Sequence, residues 1–76
     1  MVTMADLMPG DCARLVDFGL TDAHYRRKLM SLGMTRGVAI RVVRVAPLGC
    51  PVQVDVRGTS LTLRRDEARY LQWERT

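Results

Sequence analysis

The sequence predicts a small antiparallel β-barrel that carries one inserted α-helix. Three observations support this fold class. Three runs after residue 37 alternate apolar and polar residues with a period of about two, as strands with one buried face do. Glycine and proline separate these runs at short intervals, which is typical of turns between antiparallel strands. A single segment, residues 22–32, repeats its apolar residues with the period of a helix.

The length of the chain limits what the protein can be. With 76 residues there is room for one domain, residues 1–76, and none for an enzyme with separate cofactor and substrate domains. An apolar share of 47% and a charged share of 26% predict an ordered core. A core this small barely offsets the entropy lost on folding, and a closed barrel avoids exposed sheet edges.

The first twenty residues predict a short helical turn and one strand. Residues 4–8 form the turn, which ends at Pro9 and Gly10. Residues 11–20 alternate only loosely, with Cys12, Leu15 and Phe18 as the apolar positions. We expect a strand here, without a register that the pattern defines.

The helix over residues 22–32 has clear signals at both ends. Thr21 or Asp22 is a suitable N-cap, and Gly33 is a suitable residue just after the C-terminus. Three residues at helical spacing form the apolar stripe, and three basic residues point largely to solvent. The stripe consists of Tyr25, Leu29 and Leu32, and the basic residues are Arg26, Arg27 and Lys28.

The remaining elements are four strands and one helical turn. Val38, Ile40 and Val42 share a face, but Val43 and Val45 change phase, so we expect either a bulge or a strand packed on both sides. A turn follows over residues 47–51, then alternating strands at 52–56 and 61–63, a turn at Gly58, a helical turn at 65–69 and a last strand with Leu71 and Trp73.

The charge of the chain is compatible with an acidic partner. Twelve basic and eight acidic residues give a net charge of +4, and eleven of the basic residues are arginine. Arginine makes planar, bidentate contacts with carboxylate or phosphate. An arginine patch that meets an acidic partner is one interpretation, and ordinary solvated faces of strands and helix are the other.

Side chains for catalysis or metal binding are sparse. The single histidine, His24, lies at the helix start without an assignable partner, so we expect it to be solvated. Cys12 and Cys50 lack the short paired spacing of zinc ligands; we expect Cys12 in the core and Cys50 in a turn, where contact with a soft metal is the alternative. No enzymatic activity, no catalytic residue, no metal site and no cofactor are therefore expected.

The sequence also predicts where the protein works and which large apolar residues it buries. Arg14 is the first basic residue, and the longest uncharged stretch, residues 45–54, is far shorter than the roughly 20 apolar residues of a bilayer span. We therefore expect a cytoplasmic protein without direct membrane insertion.

The side chains expected mostly in the core are those of Phe18, Tyr25, Tyr70, Trp73, Met30 and Met34.

Three motifs, in order, resemble the FeoA family. They are Tyr25-Arg-Arg-Lys-Leu-Met-Ser-Leu-Gly-Met-Thr-Arg-Gly37 at the helix exit, Ala46-Pro-Leu-Gly-Cys-Pro51 at the turn and Leu61-Thr-Leu-Arg64 in a strand. Each motif alone is weak, but the three together are specific. The resemblance covers nearly the whole chain, from about Leu7 to Trp73. One departure is Cys50, where the family commonly has aspartate, and this removes a carboxylate suited to iron(II).

The resemblance implies a fold, a function and a partner. The fold is an SH3-like barrel with a helical insertion. The function is that of a small, non-enzymatic accessory protein of bacterial ferrous iron uptake. The partner is FeoB, a membrane transporter with a cytoplasmic GTPase domain, on which the protein docks and which it modulates. The alternatives are a basic nucleic-acid-binding barrel, without specificity for a sequence, and a metal chaperone, for which the ligands are few.

The expected docking surface combines the helix exit, the turn and several arginines. Leu48 is either an exposed anchor for the partner or a cap on the open end of the barrel. The arginines would steer association electrostatically. The full set of expected partner-binding residues is Met34 and Arg36 at the helix exit, Leu48 and Cys50 in the turn, and Arg26, Arg27 and Arg64.

Overall fold

Five strands and two helices follow one another along the chain in the computed structural model, which describes residues 1–76. Short 3₁₀ turns at Met4–Asp6 and Pro47–Gly49 complete the regular structure. The elements are β1 Cys12–Asp17, α1 Ala23–Ser31, β2 Ala39–Val45, β3 Val52–Val56, β4 Thr59–Leu63, α2 Arg65–Ala68 and β5 Gln72–Arg75.

The strands form one antiparallel sheet in the order β4-β3-β2-β1-β5. Strands β2, β3 and β4 follow one another through short turns, whereas α1 connects β1 to β2 and β5 returns beside β1. The free edge of β5 pairs with the N-terminal segment: the Val2 N–H donates to the Trp73 carbonyl (2.8 Å) and the Trp73 N–H to the Val2 carbonyl (2.9 Å). This pairing satisfies backbone groups that an edge strand would otherwise expose.

The sheet curves around a single core of 19 buried residues. The two outermost strands, β4 and β5, contribute Leu63 and Trp73 to the same cluster as the central strands, which a flat sheet would not allow. This architecture confirms the predicted fold class, an all-β barrel with one inserted α-helix.

Helix α1 confirms the predicted segment and assigns its caps. The N-cap is Asp22, whose Oδ2 accepts the backbone N–H of Tyr25 (3.1 Å). At the other end Gly33 adopts φ 95°, its N–H donates to Met30 O (3.1 Å), and the N–H of Met34 donates to Leu29 O (2.9 Å). These two bonds form a Schellman motif, which requires a left-handed residue at the position of Gly33.

The end of α1 corrects two core predictions. Tyr25 and Leu29 are buried as expected, but Leu32 is 44% exposed and Met30 is 47% exposed. Met30 follows Leu29 directly and so points about 100° around the helix from the buried stripe, and Leu32 is the C-cap, where the helix ends and the chain reverses at Gly33. Met34 enters the core in their place and is fully buried.

The structure defines the phase of strand β1, which the loose alternation of its sequence left open. Ala13 and Leu15 point inward, and Cys12 is exposed, so the prediction of Cys12 as a core residue was wrong. Residues three positions apart face opposite sides of a strand. Phe18 reaches the core because it lies just beyond the strand, after an irregularity in the pairing with β5 between Leu15 and Asp17.

Strand β2 contains the predicted bulge. Val42 pairs with Val54, but the next pair joins Arg44 to Gln53, so Val43 is the extra residue and is 44% exposed. The bulge returns Val45 toward the core, against which it packs. The change of phase is therefore a bulge and not a strand packed on both faces.

Two further features concern turns and aromatic residues. The β3–β4 hairpin has the two-residue loop Arg57–Gly58, in which both residues have positive φ (52° and 82°), as a type I′ turn requires.

Tyr70, expected in the core, is 41% exposed, because the neighbouring Leu71 takes the inward position. The Arg69 guanidinium lies 5.0 Å from the centre of the Tyr70 ring.

We predict that Leu63→Ala destabilises the protein by about 2–5 kcal/mol, because it leaves a cavity in a thin core. The neighbouring Thr62→Ala, which alters an exposed side chain, should cost no more than about 0.5 kcal/mol. Urea unfolding followed by tryptophan fluorescence measures both values. Equal losses for the two variants would contradict the assignment of the inner face of β4.

Candidate protein-interaction surface

The predicted docking residues occupy three separate places instead of one patch. Arg26, Arg27 and Arg36 line a groove beside α1. Leu48 and Cys50 lie in the turn between β2 and β3, and Arg64 lines a second groove between α1 and β4. Met34 lies in none of these places.

The correction at Met34 follows from the C-terminus of α1. Its side chain is fully buried, so it belongs to the core and cannot contact a partner. The Schellman motif that ends α1 directs this residue inward. Only Arg36 of the predicted helix-exit pair remains at the surface.

The first groove, which we call the arginine groove, has a volume of about 490 Å³. Helix α1 forms one side, and the end of β1 and the connection to β2 form the other. Its lining residues are Phe18, Arg26, Arg27, Met30, Thr35 and Arg36, so three of six carry a guanidinium and none carries a carboxylate.

Arg36 is held at the corner of a tight turn. The Val38 N–H donates to Thr35 O (3.1 Å), and Gly37 adopts φ 85°. Arg36 Nη2 lies 3.1 Å from Asp17 Oδ1, which also accepts the Phe18 N–H (2.9 Å). Such an exposed ion pair contributes only about 0–1 kcal/mol to stability. Its main consequence is to hold the guanidinium beside Phe18.

Leu48 protrudes from the turn over residues 47–51, which we call the proline turn. Its side chain is 96% exposed, and its backbone is left-handed (φ 69°, ψ 11°), a conformation uncommon for a leucine. The turn is closed by hydrogen bonds from the Gly49 N–H to Ala46 O (2.9 Å) and from the Ala46 N–H to Pro51 O (3.1 Å). A side chain this exposed does not cap the barrel, so that alternative is excluded.

Arg65 supports the proline turn, and sequence analysis did not identify it. Its backbone N–H donates to Cys50 Sγ (3.4 Å), and its Nη1 donates to Leu48 O (3.4 Å). These partners lie 15 and 17 positions away, so no local pattern predicts the contacts. The half-buried Cys50 thiol therefore has a structural neighbour at the start of α2.

The second groove, between α1 and β4, has a volume of about 390 Å³. Arg64 lines it together with Lys28 and Glu67, so its charge is mixed. Leu32, displaced from the core, lines the same groove. Arg64 is thus exposed as predicted, but it is not part of the arginine groove.

Other functional features are few. No group of three or more histidine, cysteine, aspartate or glutamate side chains is arranged to hold a metal ion. His24 is exposed at the start of α1, as the sequence predicted. Helix α1, with nine residues, is the longest helix, and no helix has the length and apolar character that crossing a membrane requires.

A five-stranded antiparallel barrel with one inserted helix places the protein in the class of small SH3-like domains, the class to which a similar solved structure has been assigned. The chain belongs to the FeoA family, because the family model described as the FeoA domain matches residues 2–75. The resemblance that the three sequence motifs indicated is therefore confirmed.

Solved structures support the same assignment. The FeoA protein of Chlorobium tepidum is 36% identical (TM-score 0.89), and the match covers 97% of this chain and 70% of that one. A protein from Pseudomonas aeruginosa is 41% identical (TM-score 0.70; 91% and 93% covered). FeoA of Stenotrophomonas maltophilia, solved with zinc, is 31% identical (TM-score 0.72; 97% and 91% covered) and has been suggested to be an SH3 domain protein that activates bacterial ferrous iron transport.

Tyr25 gives the barrel a measurable pH dependence. Burial, followed by the charge of Glu67, raises the pKa of its phenol from the ordinary 10.0 to about 12. The unfolded chain therefore loses this proton at lower pH than the folded protein. The stabilisation is complete below the unfolded pKa and is lost as pH rises through the folded pKa.

We predict that the urea midpoint of the protein falls between pH 10 and pH 12 and that Tyr25→Phe removes part of this fall. The substitution eliminates the phenol and preserves the ring. The difference between the two midpoint curves isolates Tyr25 from other groups that titrate in alkali. Parallel curves over this range would show that Tyr25 ionises equally in both states.

Proposed function

We propose that this protein is an accessory protein of bacterial ferrous iron uptake that docks on a FeoB-type membrane transporter and modulates it. It acts in the cytoplasm, on the GTPase domain of the transporter, and catalyses no reaction itself. Membership of the FeoA family supports the link to ferrous iron uptake. The observation that carries the docking function is the exposure of Leu48 on the proline turn.

The exposed leucine is suited to act as an anchor. Binding energy at protein interfaces concentrates in a few side chains, and burial of a leucine side chain contributes about 1.5–3 kcal/mol. The turn is already closed by backbone hydrogen bonds and by the contact of Arg65 with the Leu48 carbonyl. Because little backbone freedom is lost on binding, most of this energy is available for association.

Four arginines supply the long-range part of the interaction. Arg26, Arg27 and Arg36 line the arginine groove, and Arg64 is exposed near the start of α2. Exposed charges of one sign raise the rate of association with an acidic surface more than they raise the affinity. The docking set that we propose is therefore Leu48, Cys50, Arg26, Arg27, Arg36 and Arg64, without Met34.

The alternative of a nucleic-acid-binding barrel receives less support. The family match concerns FeoA domains, and the relative from Stenotrophomonas maltophilia is linked to ferrous iron transport. Three of the four aromatic rings, those of Phe18, Tyr25 and Trp73, are buried and offer no surface on which a base can stack.

We predict that Leu48→Asp abolishes the contribution of this protein to ferrous iron uptake and leaves its Tm nearly unchanged. The side chain makes no packing contact to lose, and aspartate tolerates the left-handed backbone better than leucine. Uptake of radioactive ferrous iron is measured in cells that lack the chromosomal copy and express the variant, and Tm is measured on the purified protein.

The matched control for this experiment is Leu20→Asp, which places the same charge on another leucine, 82% exposed, outside the proline turn. It should support uptake as the unaltered protein does. Full uptake with a folded Leu48→Asp variant would show that the proline turn is not the docking site. A loss of Tm of more than about 8 °C, which corresponds to over about 1 kcal/mol, would instead show that Leu48 stabilises the fold.

A further inference from the structure

The arginine groove contains charge that the folded protein does not neutralise. The salt bridges of the chain join Arg36 to Asp17 and Arg75 to Asp11. Arg26 and Arg27, on adjacent positions of α1, have no carboxylate within ion-pair distance. Because an anion in this concave site lies close to the unpaired guanidiniums of Arg26 and Arg27, the groove has a preference for an anionic ligand.

The groove also offers apolar surface. Phe18 lines the groove but is only 3% exposed, so it closes the base of the groove and offers almost no surface to a ligand. Met30 is 47% exposed and stands on the α1 side, four positions after Arg26. Methionine adapts its shape to different partners and is frequent in surfaces that bind peptides. The ligand that matches this surface carries both negative charge and an apolar side chain.

We infer that the arginine groove binds an acidic segment of a protein partner, with one apolar side chain of that segment packed against Met30. Carboxylates of the segment pair with Arg26, Arg27 and Arg36. Asp17 is a positioning residue, because its ion pair fixes Arg36 at the rim beside Phe18. This inference rests on the docking function proposed above and adds the chemistry of the partner segment.

The shape of the groove favours a peptide over nucleic acid. Its volume of about 490 Å³ accommodates a few side chains. The aromatic ring at the groove, Phe18, is almost wholly buried and has no free face for stacking with a base. A peptide in which carboxylates flank an apolar residue can contact both the arginines of the groove and the exposed Met30 side chain.

The test is a titration of isotope-labelled protein, followed by NMR, with a short synthetic peptide in which glutamates flank a leucine. We expect saturable shifts of the amide signals of Phe18, Met30 and Thr35 that weaken as salt is added. A peptide with glutamine in place of glutamate should cause no such shifts. Absence of shifts at millimolar peptide, or equal shifts with the glutamine peptide, would overturn the inference.

Charge variants locate the site. Arg26→Glu combined with Arg27→Glu should weaken peptide binding by more than about tenfold, equivalent to 1.4 kcal/mol. The matched control combines Arg44→Glu with Arg57→Glu, which makes the same change of net charge at exposed positions outside the groove. Binding by the control should change by less than about threefold. Equal losses in both variants would show that only net charge matters.

Three further measurements separate the remaining interpretations. Met30→Gln should weaken binding of the leucine peptide but not of a glutamate peptide with glycine in place of leucine. Oligothymidylate that shifts the groove amides more strongly than the peptide would overturn the inference in favour of nucleic acid. Leu48→Asp should bind the peptide normally, so a failure at the groove is distinguishable from a failure of docking through the proline turn.

Discussion

All five strands bury side chains in one core, and the packing of that core decides which side chains remain available for a partner. Nineteen of 76 residues form the cluster, and it includes the inward positions of the strands and of α1. In so small a domain, a side chain that leaves the core reduces stability directly. Residues that can contact a partner without weakening the fold therefore lie outside the core, on the proline turn, on the α1–β2 connection and on the exposed side of α1.

The C-terminus of α1 shows how one local motif determines both packing and surface. The Schellman motif reverses the chain at Gly33 and sends Met34 into the core. The following residues close the tight turn that presents Arg36, and Asp17 holds its guanidinium beside the groove. At the proline turn, Arg65 has the corresponding role, because it joins α2 to the backbone that carries Leu48. In both places, contacts distant in sequence fix an exposed side chain.

The sequence was sufficient for most of the fold and for part of the candidate surface. Helix α1 and the bulge in β2 were predictable, because their signals are local: a cap, a glycine and a change of phase in one strand. Met34 was correctly expected in the core, but its additional place in the docking set was wrong, because the direction of the chain after a helix depends on the whole barrel. Cys12 was misplaced because it lies three positions before Leu15 and so faces the opposite side of β1. Arg65 could not be found from local pattern, since its partners are distant in sequence.

We propose that this FeoA-family protein acts by direct, reversible docking on a FeoB-type transporter. The most direct test is equilibrium binding of the purified protein to the purified transporter in lipid nanodiscs, with empty nanodiscs as the reference. We expect saturable binding of the protein to the transporter, and we expect this binding to weaken with salt because charged side chains contribute to it. Signals that are equal for the transporter and for empty nanodiscs at protein concentrations up to about 1 mM, the weak end of specific affinities, would contradict it.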